Sequence, residues 1–109
     1  MAHDELLATR MRAALGSLPG LEEKKMFGGT GFLVDGNMAC GVHKKNMIVR
    51  VGPEKHAWAL AHPHTRPFDM TGRSMSGWIE VEPPGCATEK ALKAWVDLGL
   101  AFALSLPAK

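Results

Sequence analysis

Apolar residues recur at Leu7, Met11, Ala14 and Leu18, at spacings of four, three and four, which stacks them on one face of a helix. The pattern predicts an amphipathic helix from about Asp4 to Ser17, with Asp4 and Glu5 at its positive N-terminal end. The stretch GSLPG at 16–20 stops it, because glycine and proline cannot continue the hydrogen-bond ladder. From Glu23 to Gly52 the period shortens towards two. KKMF, TGFLV, NMACGVH and MIVRV follow one another as short runs separated by turn residues. Met38, Cys40 and Val42 share one face of the third run; Met47, Val49 and Val51 share one face of the fourth, with Ile48 and Arg50 opposite. Asp35-Gly36 predicts a two-residue hairpin, since both central positions of that turn need φ above zero. KKN at 44–46 is a polar turn. The segment reads as a meander of three or four antiparallel strands.

Gly52-Pro53-Glu54 opens a short helix, with Pro53 in the first turn where its missing N–H costs little. That helix holds Ala57, Trp58 and Leu60 and ends at Pro63. Residues 62–77, HPHTRPFDMTGRSMSG, read as irregular with a turn at Thr71-Gly72. WIEVE at 78–82 resumes alternation, Ile79 and Val81 facing away from Trp78, Glu80 and Glu82. After PPG, Thr88 caps a last helix whose Leu92, Trp95 or Val96, Gly99, Phe102 and Leu106 line one face. Strands in an unbroken run cannot come from βαβ crossovers. The fold class is therefore α+β: one mostly antiparallel sheet of about five strands backed by helices, in the order α-β-β-β(-β)-α-β(-β)-α.

KMFGGTGFLVDGNM at 25–38 packs four glycines into fourteen residues. A phosphate cradle needs its glycines to lead from a strand into a helix, whose N-terminal amides then meet the anion. Gly28, Gly29 and Gly31 lead into another strand, and no Gly-Lys-Ser/Thr ending follows. The residues Gly28, Gly29, Asp35, Gly36 and Gly72 are accordingly read as structural turns, bulges and close-packing points.

Composition narrows the function classes. A chain of 109 residues that is 46% hydrophobic and 22% charged is expected to form one domain, residues 1–109. No apolar run is long enough to span a membrane, and the N-terminus lacks the pattern of a signal peptide. Cys40 and Cys86 are too few for a disulfide scaffold and are expected as reduced thiols in the cytoplasm. A net charge of +2 is small for a domain that lives on phosphate contacts, so nucleic acid is not expected as a direct ligand.

The chemical candidates are sparse. Cys40 and His43 fall on opposite faces of a strand, His62 and His64 flank Pro63, and no four ligands converge in the sequence, so no metal and no cofactor are expected. No local signature pairs a nucleophile with a base, and Glu80 and Glu82 read as solvent-facing, so no catalytic residues are assigned and the chain is not expected to be an enzyme. Arg50 on the polar face of its strand and Arg66 and Arg73 in the irregular arm could gather around an anion or an acidic partner. Trp78 is out of phase with Ile79 and Val81, so its ring is exposed unless HPHTRPFDM folds over it; exposed aromatic and methionine surface marks protein contacts.

KMFGGTGFLVDGNM, then MIVRV at 47–51, then RPFDMTGRSMSGW at 66–78, together resemble the N-terminal domain of the TfoX/Sxy competence-regulator family, from about Met11 to Phe102. The resemblance implies an α+β domain akin to the folds of type III secretion chaperones, in a bacterial cytoplasmic protein. Longer members act in control of natural transformation and carry a C-terminal helical domain, which a chain ending at Lys109 is expected to lack. GWIEVEPPG at 77–85 stands where many relatives have a tyrosine-rich segment. The expected function is a non-enzymatic regulatory domain acting through protein contact, with another protein or with itself as a homodimer. The alternative is an anion- or ligand-binding domain that uses Arg50, Arg66 and Arg73.

Overall fold

Asp35 and Gly36 adopt φ of 52° and 84°, so the two-residue turn forms as its sequence requires and sets the register of the hairpin on either side. The computed structural model describes residues 5–26, 29–70 and 73–107. Helix α1 (Glu5–Leu15) is followed by strands β1 (Leu21–Met26), β2 (Gly29–Val34), β3 (Asn37–His43) and β4 (Asn46–Arg50). A 3-10 turn (Pro53–Lys55) runs into the short helix α2 (His56–Leu60). Strands β5 (Thr65–Met70) and β6 (Arg73–Val81), a second 3-10 turn (Pro83–Cys86) and helix α3 (Glu89–Ser105) complete the order.

The strands form one antiparallel sheet in the order β1-β2-β3-β4-β6-β5. Six strands stand where about five were expected. The difference is the stretch read as irregular, whose two halves are β5 and the first part of β6. β5 accommodates Pro67 because it is an edge strand, where a missing N–H is tolerated, and its pairing shifts register between Pro67 and Asp69. Both edges resist further pairing. β1 exposes Glu22, Glu23, Lys24 and Lys25, and β5 carries Pro67 with its bulge.

The helices cover one face. α1 buries Leu7, Ala8, Met11 and Leu15, while Ala14 and Leu18 pack at the margin, so the inward stripe is rotated slightly from the one read in sequence. α3 buries Leu92, Trp95, Val96, Gly99 and Ala103, with Trp95 and Val96 both turned inward. Thr88 caps it, its Oγ accepting from the Ala91 amide at 3.1 Å. These side chains meet Phe32, Val34, Cys40, Val42, Met47, Val49, Ile79 and Val81 of the sheet. Burying each large aliphatic or aromatic side chain contributes about 1.5–3 kcal/mol relative to leaving it exposed.

Gly29 opens β2 opposite Met26, and a Cβ there would run into the carbonyl oxygen of Val42, so it is a close-packing point. The bulge in this part of the sheet lies further on, between Phe32 and Leu33, where Ala39 is the extra residue of β3. Gly28 and Gly72 lie outside the described residues.

Candidate functional site

Among the described residues, two surfaces gather aromatic and charged side chains: the sheet face away from the helices, and a groove beside α3.

On the open face, strand alternation places Asn46, Ile48 and Arg50 of β4 beside Trp78 and Glu80 of β6. Glu80 was expected to face solvent, but its residue is only 5% exposed. The phase was right and the exposure was not, because β6 is an inner strand and β5 supplies a cover. Phe68, fully buried, meets the His43 ring at 5.8 Å between centroids although β6 and β4 separate their strands. It therefore spans the neighbourhood of Ile48 and Glu80 and also leans on Trp78, with centroids 6.4 Å apart.

Beneath that cover Glu80 is paired. Its Oε2 accepts from Asn46 Nδ2 at 2.7 Å and from Arg66 Nη2 at 3.2 Å. Asn46 is itself buried, and its Oδ1 has no partner among the described residues. Arg66 keeps a 57% exposed side chain while its charge is matched by Glu80. Arg50 sits with its guanidinium carbon 5.2 Å from the ring centroids of both Trp78 and Phe102, a double cation–π arrangement. Arg50 and Arg66 thus lie on the same face, each with its own intramolecular partners. Arg73 pairs with Met70 at the start of β6, and its side chain lies outside the described set. Trp78 is half-buried, held between Phe68 and Arg50, so the arm does fold over it.

The thiols are sealed. Cys40 is fully buried in the core, and desolvation pushes its pKa up to about 12, which keeps it a neutral thiol. Cys86 is buried too, its Sγ 3.7 Å from the Glu82 carbonyl oxygen. His62 is held by aromatic rings, and among the described residues no three His, Cys, Asp or Glu side chains gather closely enough to hold a metal ion.

The groove lies between α3 and the segment made of the first 3-10 turn and α2. Its first cavity, about 380 Å³, is lined by Trp58, His62, Pro63, Pro84, Trp95 and Leu98 among others, with no Asp, Glu, Lys or Arg. Its second, about 410 Å³, is lined by Val51, Pro53, Glu54, Leu98, Ala101 and Phe102 among others. Leu98 belongs to both, so the two cavities lie on the same side of α3.

Local bonds hold the walls in place. Gly77 accepts from the amides of Val51 and Gly52 at 2.8 and 3.1 Å, and its own N–H donates to His56 Nδ1 at 3.0 Å, which ties the 3-10 turn and α2 to β6. Both Gly52 and Gly77 need positive φ, 89° and 87°, for this crossing. His62 donates through Nδ1 to the Trp58 carbonyl at 3.0 Å, and its ring stands edge-on to Trp58 and Trp95, at 4.5 and 5.5 Å. Trp95 Nε1 donates to the Gly85 carbonyl at 3.3 Å. Trp58 is left 51% exposed at the rim, the largest apolar side chain so placed among the described residues.

Sequence reasoning singled out Trp78 and left Trp58 undecided between sheet and solvent. The five residues of α2 span little more than one turn, too short for a period to reveal which face is buried.

The TfoX N-terminal domain family matches residues 13–103, and the chain belongs to that family. No curated protein and no solved structure matches the chain.

Proposed function

We propose that this TfoX N-terminal domain is a non-catalytic regulatory module of the bacterial cytoplasm that works by holding a protein in the groove between α2 and α3. The observation that carries the reading is Trp58, half out of the surface at the rim of an uncharged, aromatic-lined cavity. Interfaces are enriched in such tryptophans at their centres, where they dominate the binding energy. The bonds that fix the walls make the groove a preformed shape, which lowers the ordering cost of binding. A regulatory role is what membership of the family suggests, and the neutral, sealed Cys40 thiol fits a domain without nucleophilic chemistry.

The anion reading has less support. An anion approaching Arg66 meets the carboxylate of Glu80 as well, and Arg50 already lies against two rings. A photo-crosslinking residue placed at position 58, with position 104 as an exposed control, tests the groove. Discrete protein adducts in cells from position 58 and not from 104 are expected; equal labelling, or none, overturns the reading.

A further inference from the structure

We propose that His56 is a pH-sensitive latch on the wall of the groove, closed while its ring is neutral and opened by acid. The latch regulates the site proposed above, and its bearing on binding rests on that reading.

The hydrogen bond itself fixes the state of the ring. The Gly77 N–H donates to His56 Nδ1 at 3.0 Å. A backbone amide nitrogen only donates, so Nδ1 is the bare, accepting nitrogen and Nε2 carries the proton. A second proton can go only to Nδ1, where it turns the acceptor into a donor aimed at another donor. The neutral ring holds the bond and the imidazolium cannot. His62, on the same wall, is the opposite case. Its Nδ1 lies 3.0 Å from the Trp58 carbonyl oxygen, an acceptor, so that bond survives protonation.

Gly77 is where the wall is tied to the sheet. Its carbonyl accepts from Val51 and Gly52 and its N–H reaches His56, so one residue grips the chain before and after the 3-10 turn. Gly77 is buried, so its N–H must move to find another acceptor once His56 is charged. The other end of α2 stays fixed. Ala59 is fully buried, and the Thr65 hydroxyl donates to the His62 carbonyl at 2.7 Å. Release at His56 therefore swings residues 53–56 about Ala59, and Pro53, Glu54 and Lys55 of the second cavity move with them.

Among the described residues no carboxylate pairs with His56, so a charged ring has no counterion in place. Glu54 and Lys55, its neighbours in the 3-10 turn, are exposed and of opposite sign. On β6, Gly77 stands between Ser76 and Trp78, and Glu80 is taken by Asn46 of β4 and Arg66 of β5. Arg50 lies against Trp78 and Phe102. The Asp69 and Arg73 side chains lie outside the described set.

Nitrogen NMR of the full chain from about pH 7.5 to about pH 5, across the range in which imidazoles take up a proton, tests the latch. At the upper pH the His56 ring should show a protonated Nε2 and a bare Nδ1. Towards the lower pH, exchange of the Gly77 amide relative to its intrinsic rate should rise about 3–10-fold, the equivalent of one net hydrogen bond. That rise should follow the charge on His56 and not the charge on His62. His56→Asn supplies an oxygen near the place of Nδ1 that does not titrate, so it should keep Gly77 protected at both pH values. His56→Ala should leave it unprotected at both. A proton on Nδ1 at the upper pH, or Gly77 protection that ignores the charge on His56, overturns the proposal. For the groove, lysate adducts from a crosslinker at position 58 should fall in acid with the parent sequence at 56 and not with His56→Asn. Adducts that ignore pH overturn the control of binding. If position 58 gives no adducts at either pH while Gly77 is released as expected, the groove reading falls and the latch stands.

Discussion

Asn46 Nδ2 donates to Glu80 Oε2 at 2.7 Å, from β4 to β6, with both residues buried on the sheet face that no helix covers. A buried carboxylate is tolerated only where hydrogen bonds and charge answer it, and here Asn46 and Arg66 do so on one oxygen. Glu80→Ala leaves the Asn46 amide buried without its acceptor, while Asn46 Oδ1 already has no partner among the described residues. The expected loss is about 2–4 kcal/mol in chemical denaturation. Glu80→Gln keeps an acceptor for Asn46 and supplies a donor, so it should cost less than half as much. Equal costs for the two variants would show that the bond to Asn46 is not what stabilises this position.

Gly99 is a position where two effects oppose each other. Alanine is favoured over glycine inside a helix by about 1 kcal/mol. A Cβ at 99, however, would collide with the carbonyl oxygen of Ala39, which is backbone of β3 and cannot swing aside. Overpacking against fixed atoms costs about 1–3 kcal/mol and at times more, so Gly99→Ala should be net destabilising by about 1–2 kcal/mol. A higher thermal midpoint for this variant would mean that α3 does not pack against β3 at this distance.

How legible was all this in the sequence? The Asp35-Gly36 turn, the Thr88 cap and the alternation of β4 and β6 were readable because each is decided within a few residues. Phe68 was not. Its burial depends on β5 pairing with β6 and reaching over the sheet towards His43, a pairing that no local pattern within residues 62–77 reveals. Glu80 inherited the error: its face was assigned correctly, and its exposure was not, because the cover comes from another strand. Trp58 was undecided because α2 is barely longer than one turn. Local chemistry was therefore visible in the chain, while whatever one element lays over another was not.

Cys40 gives a pH prediction. Burial raises its pKa from the ordinary 9.0 to about 12, so the folded state holds the proton more tightly than the unfolded state does. The contribution is fully present below about pH 9 and is lost as the pH rises towards 12, where the unfolded chain gains by ionising first. Stability followed by urea denaturation should fall across that window, and Cys40→Ala should fall less steeply, whatever its offset from the removed sulfur. Thiol reagents at pH 8 should leave Cys40 untouched until the chain unfolds. Rapid labelling in the folded state would contradict its sealed position.

Arg50 provides the last prediction, because its role can be separated from that of its charge. Its guanidinium lies between Trp78 of β6 and Phe102 of α3, and so joins the open face to the end of the helix that walls the second cavity. Stacking between two rings uses the planar, weakly hydrated guanidinium, whereas an ammonium is compact and holds its water. Arg50→Lys therefore keeps the charge and should still lose most of the interaction, about 1 kcal/mol of the roughly 1–2 kcal/mol expected for Arg50→Ala. Fluorescence of Trp78 offers a second readout, since taking the stacked guanidinium away from the indole changes its emission in both variants. The deciding comparison is Lys against Ala: if Arg50→Lys matches the parent in stability and emission, net positive charge at this point is sufficient, and the stacked arrangement adds nothing.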